Sequence, residues 1–483
     1  MTQYEAVIGL EVHVQLKTKT KLFTRVPYHY GEAPNTLLNE VVLGLPGTLP
    51  VLNKGAILKA VAAGHVFGCK IAHQCKWDRK NYFYPDAPKN YQISQLDQPL
   101  CAGGQVEIEL AGPARNIQGE HRKVALNRIH LEEDVGKLTH GANETCIDFN
   151  RAGTPLIEIV SEPDMHSPEE AFAYLKSLEM HLRYIGASDC DMEKGQMRCD
   201  ANVSIRPVGS TQLGTKVELK NLNSISGVCS GIRYEIQRQI EVLESNGHIE
   251  QETRRWDAEK LVSTSMRSKE DAHDYRYFTD PDLFPITLSD EVIQAQRDQL
   301  PELPFAKQER YQQELKLPYT LTSVLCPDCF LSNFFDQTHA LYPKNPLAIA
   351  NWIANDLLRE MAGKPWSELK LTPPMLAELV QLIDGQVLSK QNAKDVFVEM
   401  IQSGLSAKQI VQDKGLEMKV DIEALKAVCQ EVINAFPQPV AEYRSGKEKA
   451  INVLKGQIMK RTQGKAPIDL INQLLIECLN NKS

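Results

Sequence analysis

Along IGLEVHVQL the chain alternates without a slip. Leu10, Val12, Val14 and Leu16 fall on one side of an extended backbone, and Glu11, His13, Gln15 and Lys17 on the other, the period of a half-buried strand. The stretch DFNRAGTPLIEIVSEPD departs from that pattern, because Glu158 interrupts the strand-like apolar run Leu156, Ile157, Ile159 and Val160. An unpaired buried carboxylate costs on the order of several kcal/mol, so Glu158 must be exposed, paired or bound to a metal. A third stretch, HLEEDVGK, adds His130, Glu132, Glu133 and Asp134. Three acidic segments so far apart in sequence could converge on one cation.

The same patterning sets the expected architecture. From Tyr4 to about Pro285 the chain reads as β-rich, with alternating strands at QVEIELAG and HRKVALNRIHLEED. GQMRCDANVSIRP and GTKVELKNLNSISGV read as a strand pair, Arg198, Asp200 and Asn202 sharing one face of the first, and Lys216, Glu218 and Lys220 one face of the second. Helices are expected from about Lys54 to Phe67, after the N-cap Ser167 with Gly186 just past its end, and from about Gly227 to Ser245. KWDRKNYFYPDAPKNYQISQ fits neither period and reads as a loop in which aromatics alternate with cations. Past Leu288 the alternation gives way to helical spacing, through KNPLAIANWIANDLLREM and TPPMLAELVQLI to a stop near Gly404. A last set of helices follows, in which Ile451, Leu454 and Ile458 make one apolar stripe. The expected fold is α+β: a β-rich cradle over residues 1–290, an all-helical domain over 291–404, and a small helical tail domain over 405–483.

Composition narrows the class. A chain of 483 residues exceeds one core. No run approaches the ~20 apolar residues of a membrane span, and no basic segment precedes the apolar N-terminal strand, which predicts a cytoplasmic protein. The 11 cysteines are scattered. Cys326 and Cys329 form a lone CxxC, and Cys69, His73 and Cys75 lie close together, both weak zinc signals. A net charge of −8 argues against a basic-coated binder of nucleic acid, and no DNA partner is expected. The tail differs: from Ala441 to Ser483 eight Lys and Arg stand against four acids. Lys447, Lys449, Lys455, Lys460 and Arg461 are the candidate phosphate-backbone contacts there.

No phosphate-binding P-loop, dinucleotide turn or nucleophile elbow is present. Carboxylates with one imidazole suit Mg²⁺ or Mn²⁺ better than Zn²⁺. Cations and aromatics crowd SMRSKEDAHDYRYFTDPDL as well, including Arg267 and Arg276. A divalent ion beside cationic loops is the arrangement that phosphoryl transfer needs. The residues alone therefore indicate a metal-dependent, nucleotide-using enzyme with a basic C-terminal module.

These motifs, with LGLPGTLPVLN, TKVELKNLNS, ETRRWD, DYRYFTDPDL and the tail YRSGKEKAINVLKGQIMK, resemble the GatB family, the tRNA-handling subunits of the aspartyl/glutamyl-tRNA amidotransferase, over essentially the whole chain. The resemblance implies a heterotrimer with a glutaminase (amidase) subunit and a small linking subunit, acting on misacylated Glu-tRNA(Gln), Asp-tRNA(Asn) or both. It implies that this chain uses ATP to phosphorylate the side-chain carboxylate, and that ammonia channelled from the glutaminase then displaces the phosphate. Carried over by motif, Glu11, His13, Glu158 and one or both of Glu132 and Glu133 would hold the metal. The same resemblance makes Glu133, Lys80, Lys89 and Asp200 the catalytic candidates, the last three from motifs lining the ammonia route. Arg151, Lys216, Lys220, Arg267 and Arg276 are candidate phosphate or 3′-end contacts on charge alone. Relatives that carry a CPVC-like stretch before LGLPG have no counterpart here, where NEVV stands. A tRNA-binding adaptor whose chemistry lies in its partners is the alternative reading.

Overall fold

The computed structural model describes residues 3–141, 143–268, 275–418, 422–462, 466 and 468–480. Two compact units divide the chain, Met1–Lys307 and Gln308–Ser483.

In the first unit the N-terminal alternation becomes β1 (Tyr4–Gln15), followed by α1 (Lys54–Val66) and β2 (Lys70–Ile71). Next come β3 (Asp78–Asn81), β4 (Tyr91–Ser94), β5 (Cys101–Ala102), β6 (Gln105–Glu109) and β7 (His121–Glu133). After these lie β8 (Pro155–Ser161), α2 (Pro168–Tyr184), β9 (Met197–Pro207) and β10 (Val217–Leu222). The helix α3 (Ile225–Glu244) and strands β11 (Glu252–Asp257) and β12 (Val262–Ser268) follow. Ten of these strands make one sheet in the order β12-β11-β10-β9-β1-β8-β7-β5-β2, with β6 also pairing β7. Only β10 and β11 run parallel in it.

β1 is central because its apolar side is needed for the core. Ile8, Leu10, Val12 and Val14 are all at most 1% exposed, and they cluster with Leu175 and Leu178 of α2 and Val228 and Ile232 of α3. Each such side chain contributes about 1.5–3 kcal/mol when removed from water. The covering helices are capped as the sequence signals: the Ser167 hydroxyl accepts from the Glu170 amide at 3.1 Å and that of Ser224 from the Gly227 amide at 3.0 Å. Gly186 turns the chain after α2 at φ +63°, a conformation that favours glycine. With one face of the sheet covered this way, the polar side of β1 is left to face a cavity.

The aromatic, cation-rich stretch expected as a loop is in part a hairpin. β3 and β4 pair antiparallel, and Phe278 and Thr279 add a third strand. Its charges hid the period, since they are neutralised from afar: Arg79 lies 2.7 Å from Asp280 and stacks 4.3 Å over the ring of Tyr91.

In the second unit, one hydrophobic cluster runs from Tyr311 to Val411 and includes Ala407 and Ile410 beyond Gly404. Another spans Leu425–Leu479 and contains Ile451, Leu454 and Ile458. The segment expected as one helix from Pro346 widens to π-helical turns over Trp352–Leu357. The stretch AEYRSGKEKAINVLKGQIMKR is broken between Arg444 and Ile451, where Gly446 sits at φ +97°.

Candidate active site

Register builds the site. His13 on β1 is directly opposite Glu158 on β8 and Arg198 on β9, and Glu158 in turn is opposite His130 on β7. One cross-strand row therefore reads Arg198–His13–Glu158–His130, with side chains on a single face. The row beside it reads Asp200–Glu11–Val160–Arg128. Glu132 joins from two residues beyond His130.

The result is a tight acid–imidazole cluster. His13 Nε2 lies 3.4 Å from Glu132 Oε1 and 3.4 Å from Glu158 Oε2. Ligand atoms of His13, Glu132 and Glu158 all fall within 4.8 Å of one another. Among the described residues this is the one such group, and it contains no cysteine. His130 Nε2 sits 3.3 Å from Glu158 Oε2, while its Nδ1 faces Arg128 Nε at 3.3 Å. A guanidinium can only donate, so Nδ1 accepts and the ring proton is placed on Nε2, facing Glu158. His130 thus orients Glu158 as a donor and is not free to hold an ion itself.

The electrostatics follow from this crowding. Burial pulls the His13 pKa down, but the hydrogen bond to Glu158 and the charges of Glu132 and Glu158 overcome it and leave it at about 9. Burial raises Glu158, yet its bonds to His13 and His130 hold it well below the usual carboxylate range. Glu11 is raised by burial and by the Glu158 charge, although Asn202 donates to it at 2.9 Å.

The cluster floors a cavity of about 520 Å³. Lys80 and Asp200 line it, as do Glu11, Lys220 and Arg198. Lys80 lies 4.7 Å over the ring of Tyr275. Burial lowers its pKa, but the Glu132 charge and nearby tyrosines outweigh that and raise it. Lys220 is held 2.5 Å from Asp200 and 3.1 Å from Glu218.

Residues 6–294 match the GatB/GatE catalytic domain family, and residues 333–479 match the GatB domain family. The chain is 56% identical over 476 residues to the B subunit of the aspartyl/glutamyl-tRNA(Asn/Gln) amidotransferase of Opitutus terrae, covering 98% of both chains. It is 49% identical to the protein of the same name from Thermoanaerobacter pseudethanolicus, over 99% of this chain and 100% of that one. With the Brevibacillus brevis protein it shares 47% identity over the full length of both. The chain belongs to the GatB family of tRNA-dependent amidotransferase subunits.

Seen as a member of that family, the chain separates two adjacent acids. Glu132 turns toward His13, whereas Glu133 pairs with Lys89 and accepts from the Ile93 amide at 2.9 Å. Lys89 and Glu133 border a separate void of about 10 Å³, on the order of one water-sized molecule. Neither Arg151 nor Lys216 lines the large cavity. Arg151 donates to the carbonyls of Val135 and Gly136, at 2.9 and 2.8 Å, and Lys216 is exposed ahead of β10. Arg276 is exposed beside Phe83, with its guanidinium 5.6 Å from that ring. The Arg267 backbone, in β12, pairs with Thr253 of β11, but its side chain lies outside the described residues, as do Lys269, Asp271, His273 and Asp274. In the second unit Lys447, Lys449, Lys460 and Arg461 are exposed and Lys455 half-buried. Arg461 lies 3.2 Å from Glu431 and Lys447 3.8 Å from Glu442.

The sequence reading missed Arg128 and gave Arg198 no role in the site, although it named His130 and Asp134 beside Glu132. The signal for Arg198 was its alternation with Asp200 and Asn202. No helix of the described residues is long and apolar enough to cross a membrane, and all eleven cysteines are free.

Proposed function

We propose that the cavity carries out ATP-dependent activation of the side-chain carboxylate of Glu-tRNA(Gln), Asp-tRNA(Asn) or both, followed by amidation. In the first step a carboxylate oxygen forms a bond to the γ-phosphorus, the bond to the β-phosphate oxygen breaks, and ADP leaves. In the second, ammonia adds to the acyl carbon, phosphate leaves with the C–O bonding pair, and nitrogen loses a proton. The observation that carries this reading is the convergence of His13, Glu132 and Glu158 within 4.8 Å on a cavity floor, in a chain of this family.

Two carboxylates and one imidazole fit Mg²⁺ or Mn²⁺, the imidazole favouring Mn²⁺ somewhat. Such an ion supplies positive charge against phosphate oxygens when bound. The chain's own residues do the rest. Lys80 presents an ammonium to the same space, and His130 fixes Glu158 so that the donor set is already formed. The Lys89–Glu133 pair borders a void sized for a molecule such as ammonia and offers it one donor and one acceptor. A glutaminase and a linking subunit are the proposed partners, and the exposed lysines and Arg461 of the C-terminal helices are the proposed tRNA contacts.

The test reconstitutes the chain with its partner subunits, Glu-tRNA(Gln), ATP and Mg²⁺, and follows ADP release. Glu158→Gln should abolish ADP release while tRNA binding persists. Full ATP-dependent activation by that variant would rule out the site. A protein that binds acylated tRNA but never releases ADP, even with added ammonia, would instead be an adaptor.

A further inference from the structure

Two guanidinium groups in the cavity have no part in the chemistry proposed for it. Arg198 is the more firmly placed. Its Nη2 lies 2.8 Å from Asp134 Oδ1, and the other Asp134 oxygen accepts from Gln15 Nε2 at 2.9 Å. Asp134 is only 2% exposed, and although burial raises its pKa, the charges of Arg198 and Arg151 bring it below the ordinary value. Among the described residues Asp134 is Arg198's one hydrogen-bonded partner, so one arm of the fork is fixed and the remainder is directed to the cavity.

Arg128 stands on the opposite flank, two strands beyond His13. Its contacts are His130 Nδ1 at 3.3 Å and Asn127 Oδ1 at 3.4 Å, and no carboxylate pairs with it among the described residues. By register, Arg198 and Arg128 are separated by three strand spacings and one same-face step, about 16 Å between Cα atoms. Both side chains line the same cavity as Glu158.

The surroundings make the pair informative. Lys220, which also lines the cavity, is neutralised by Asp200 and Glu218. Glu11, Glu132 and Glu158 would repel a phosphoryl group, so a site that accepts one needs cations with donors still open to the cavity, which Arg198 keeps beyond its single bond to Asp134. A buried ion pair such as Arg198–Asp134 is weak evidence for stability, because apolar groups of the same shape do as well or better. A guanidinium fork held at one end is, by contrast, well suited to the oxygens of a phosphate.

We infer that Arg198 and Arg128 form a two-sided guanidinium clamp on the phosphate oxygens of the nucleotide, with Asp134 positioning Arg198. This inference rests on the ATP-dependent reading of the cavity. Arg198 and Arg128 touch the nucleotide; Asp134 acts only through Arg198.

The test measures equilibrium affinity for ATP with Mg²⁺, and separately for Mn²⁺ without nucleotide, on the complex reconstituted with its partner subunits. Arg198→Gln would take from buried Asp134 the nearer of its two arginines, so Arg198→Lys is the variant of choice: it keeps the charge but loses the fork. Arg128→Gln strands no buried acid, and Arg183→Gln, on the exposed face of α2, is the control. ATP affinity should fall about tenfold in Arg198→Lys and 10- to 100-fold in Arg128→Gln, roughly the range for a charge-assisted hydrogen bond. Mn²⁺ affinity should stay within about twofold, and Arg183→Gln should match wild type. ATP affinity within twofold of wild type in both variants overturns the clamp. So does a parallel loss of Mn²⁺ binding, which would make the arginines supports of the cluster, or a loss of acylated-tRNA binding with ATP affinity intact. If the wild-type complex takes no ATP at all, the reading of the cavity fails and the clamp with it.

Discussion

Lys21 offers a sharp test of how this core treats charge. The side chain is fully buried, and its ammonium donates to the Ala152 carbonyl at 2.7 Å. Burial lowers its pKa to about 8, against the opposing pull of Glu133 and Asp148. The ordinary value is 10.5, so burial disfavours the charged form by about 3 kcal/mol. The sign is set by proton counts. Between pH 8 and 10.5 the unfolded chain keeps the Lys21 proton and the folded chain has lost it, so stability rises with pH across that window. Below pH 8 both states are protonated and the full cost applies. Lys21→Met keeps the length and removes the charge, while leaving the Ala152 carbonyl without its donor, a loss of about 1–3 kcal/mol. The two terms nearly offset at pH 7, where the variant should be between neutral and about 2 kcal/mol more stable. The decisive quantity is the difference between wild type and variant as pH rises. Wild type should gain about 3 kcal/mol on the variant between pH 7.5 and 10.5, while groups shared by both chains cancel. Urea denaturation followed by tryptophan fluorescence, in which Trp77 packs 5.2 Å from Phe23, reads this directly. A difference that stays flat over that range would refute the argument.

Three further outcomes follow from the geometry. In the ion-free chain His13, with its pKa near 9, is protonated at pH 7, so taking up Mn²⁺ should release about one proton and gain about tenfold in affinity per pH unit from 6.5 to 9. Calorimetry in two buffers of different ionisation enthalpy counts the proton, and a pH-independent affinity would sink the assignment of His13 as a ligand. Glu235, fully buried on α3, takes a bidentate pair from Arg238 at 2.9 and 2.7 Å and a bond from Gln239 at 2.8 Å. Glu235→Gln should therefore cost about 3–5 kcal/mol of unfolding free energy, and a loss under 1 kcal/mol would show that the network relaxes. Gly44 sits at φ +65° with Lys89 Cγ only 2.7 Å from where a Cβ would stand. Gly44→Ala should displace Lys89 from Glu133 and slow ammonia-dependent product formation more than ADP release.

The sequence already shows that Glu158 interrupts an apolar strand and that His13 alternates with the core positions of β1. Those are local patterns, and local patterns survive translation into structure. Pairing is different. Glu158 meets His13 across 145 positions of chain, and nothing in either segment states which residue faces which. The choice of Arg151 and Lys216 shows the consequence, for charge says that a residue seeks a partner and not where that partner lies. Arg151 satisfies two backbone carbonyls, and Lys216 falls one residue short of its strand. The hairpin of β3 and β4 was obscured for a related reason, since its four-residue strands are too short to display a period and their charges are balanced from residues 280 and 282.

Why the chemistry sits on a sheet face also has a physical answer. A row of side chains across hydrogen-bonded strands is fixed at intervals of about 4.8 Å, so groups from four strands are placed without ordering a loop. The same rigidity brings His13, Glu132 and Glu158 together before any ion arrives, which raises His13 and, added to burial, Glu11, and makes the arrangement proton-dependent. The cost of that crowding is repulsion among carboxylates, and the structure answers it from both flanks, with Arg198 anchored by Asp134 and Arg128 against His130. The proposed phosphoryl transfer would need such a balance, because its ligand would be as anionic as the cavity floor. If the arginines prove dispensable for ATP, the balance must come from the ion and the Lys80 ammonium, and the cluster would then have to hold that ion tightly in the absence of nucleotide.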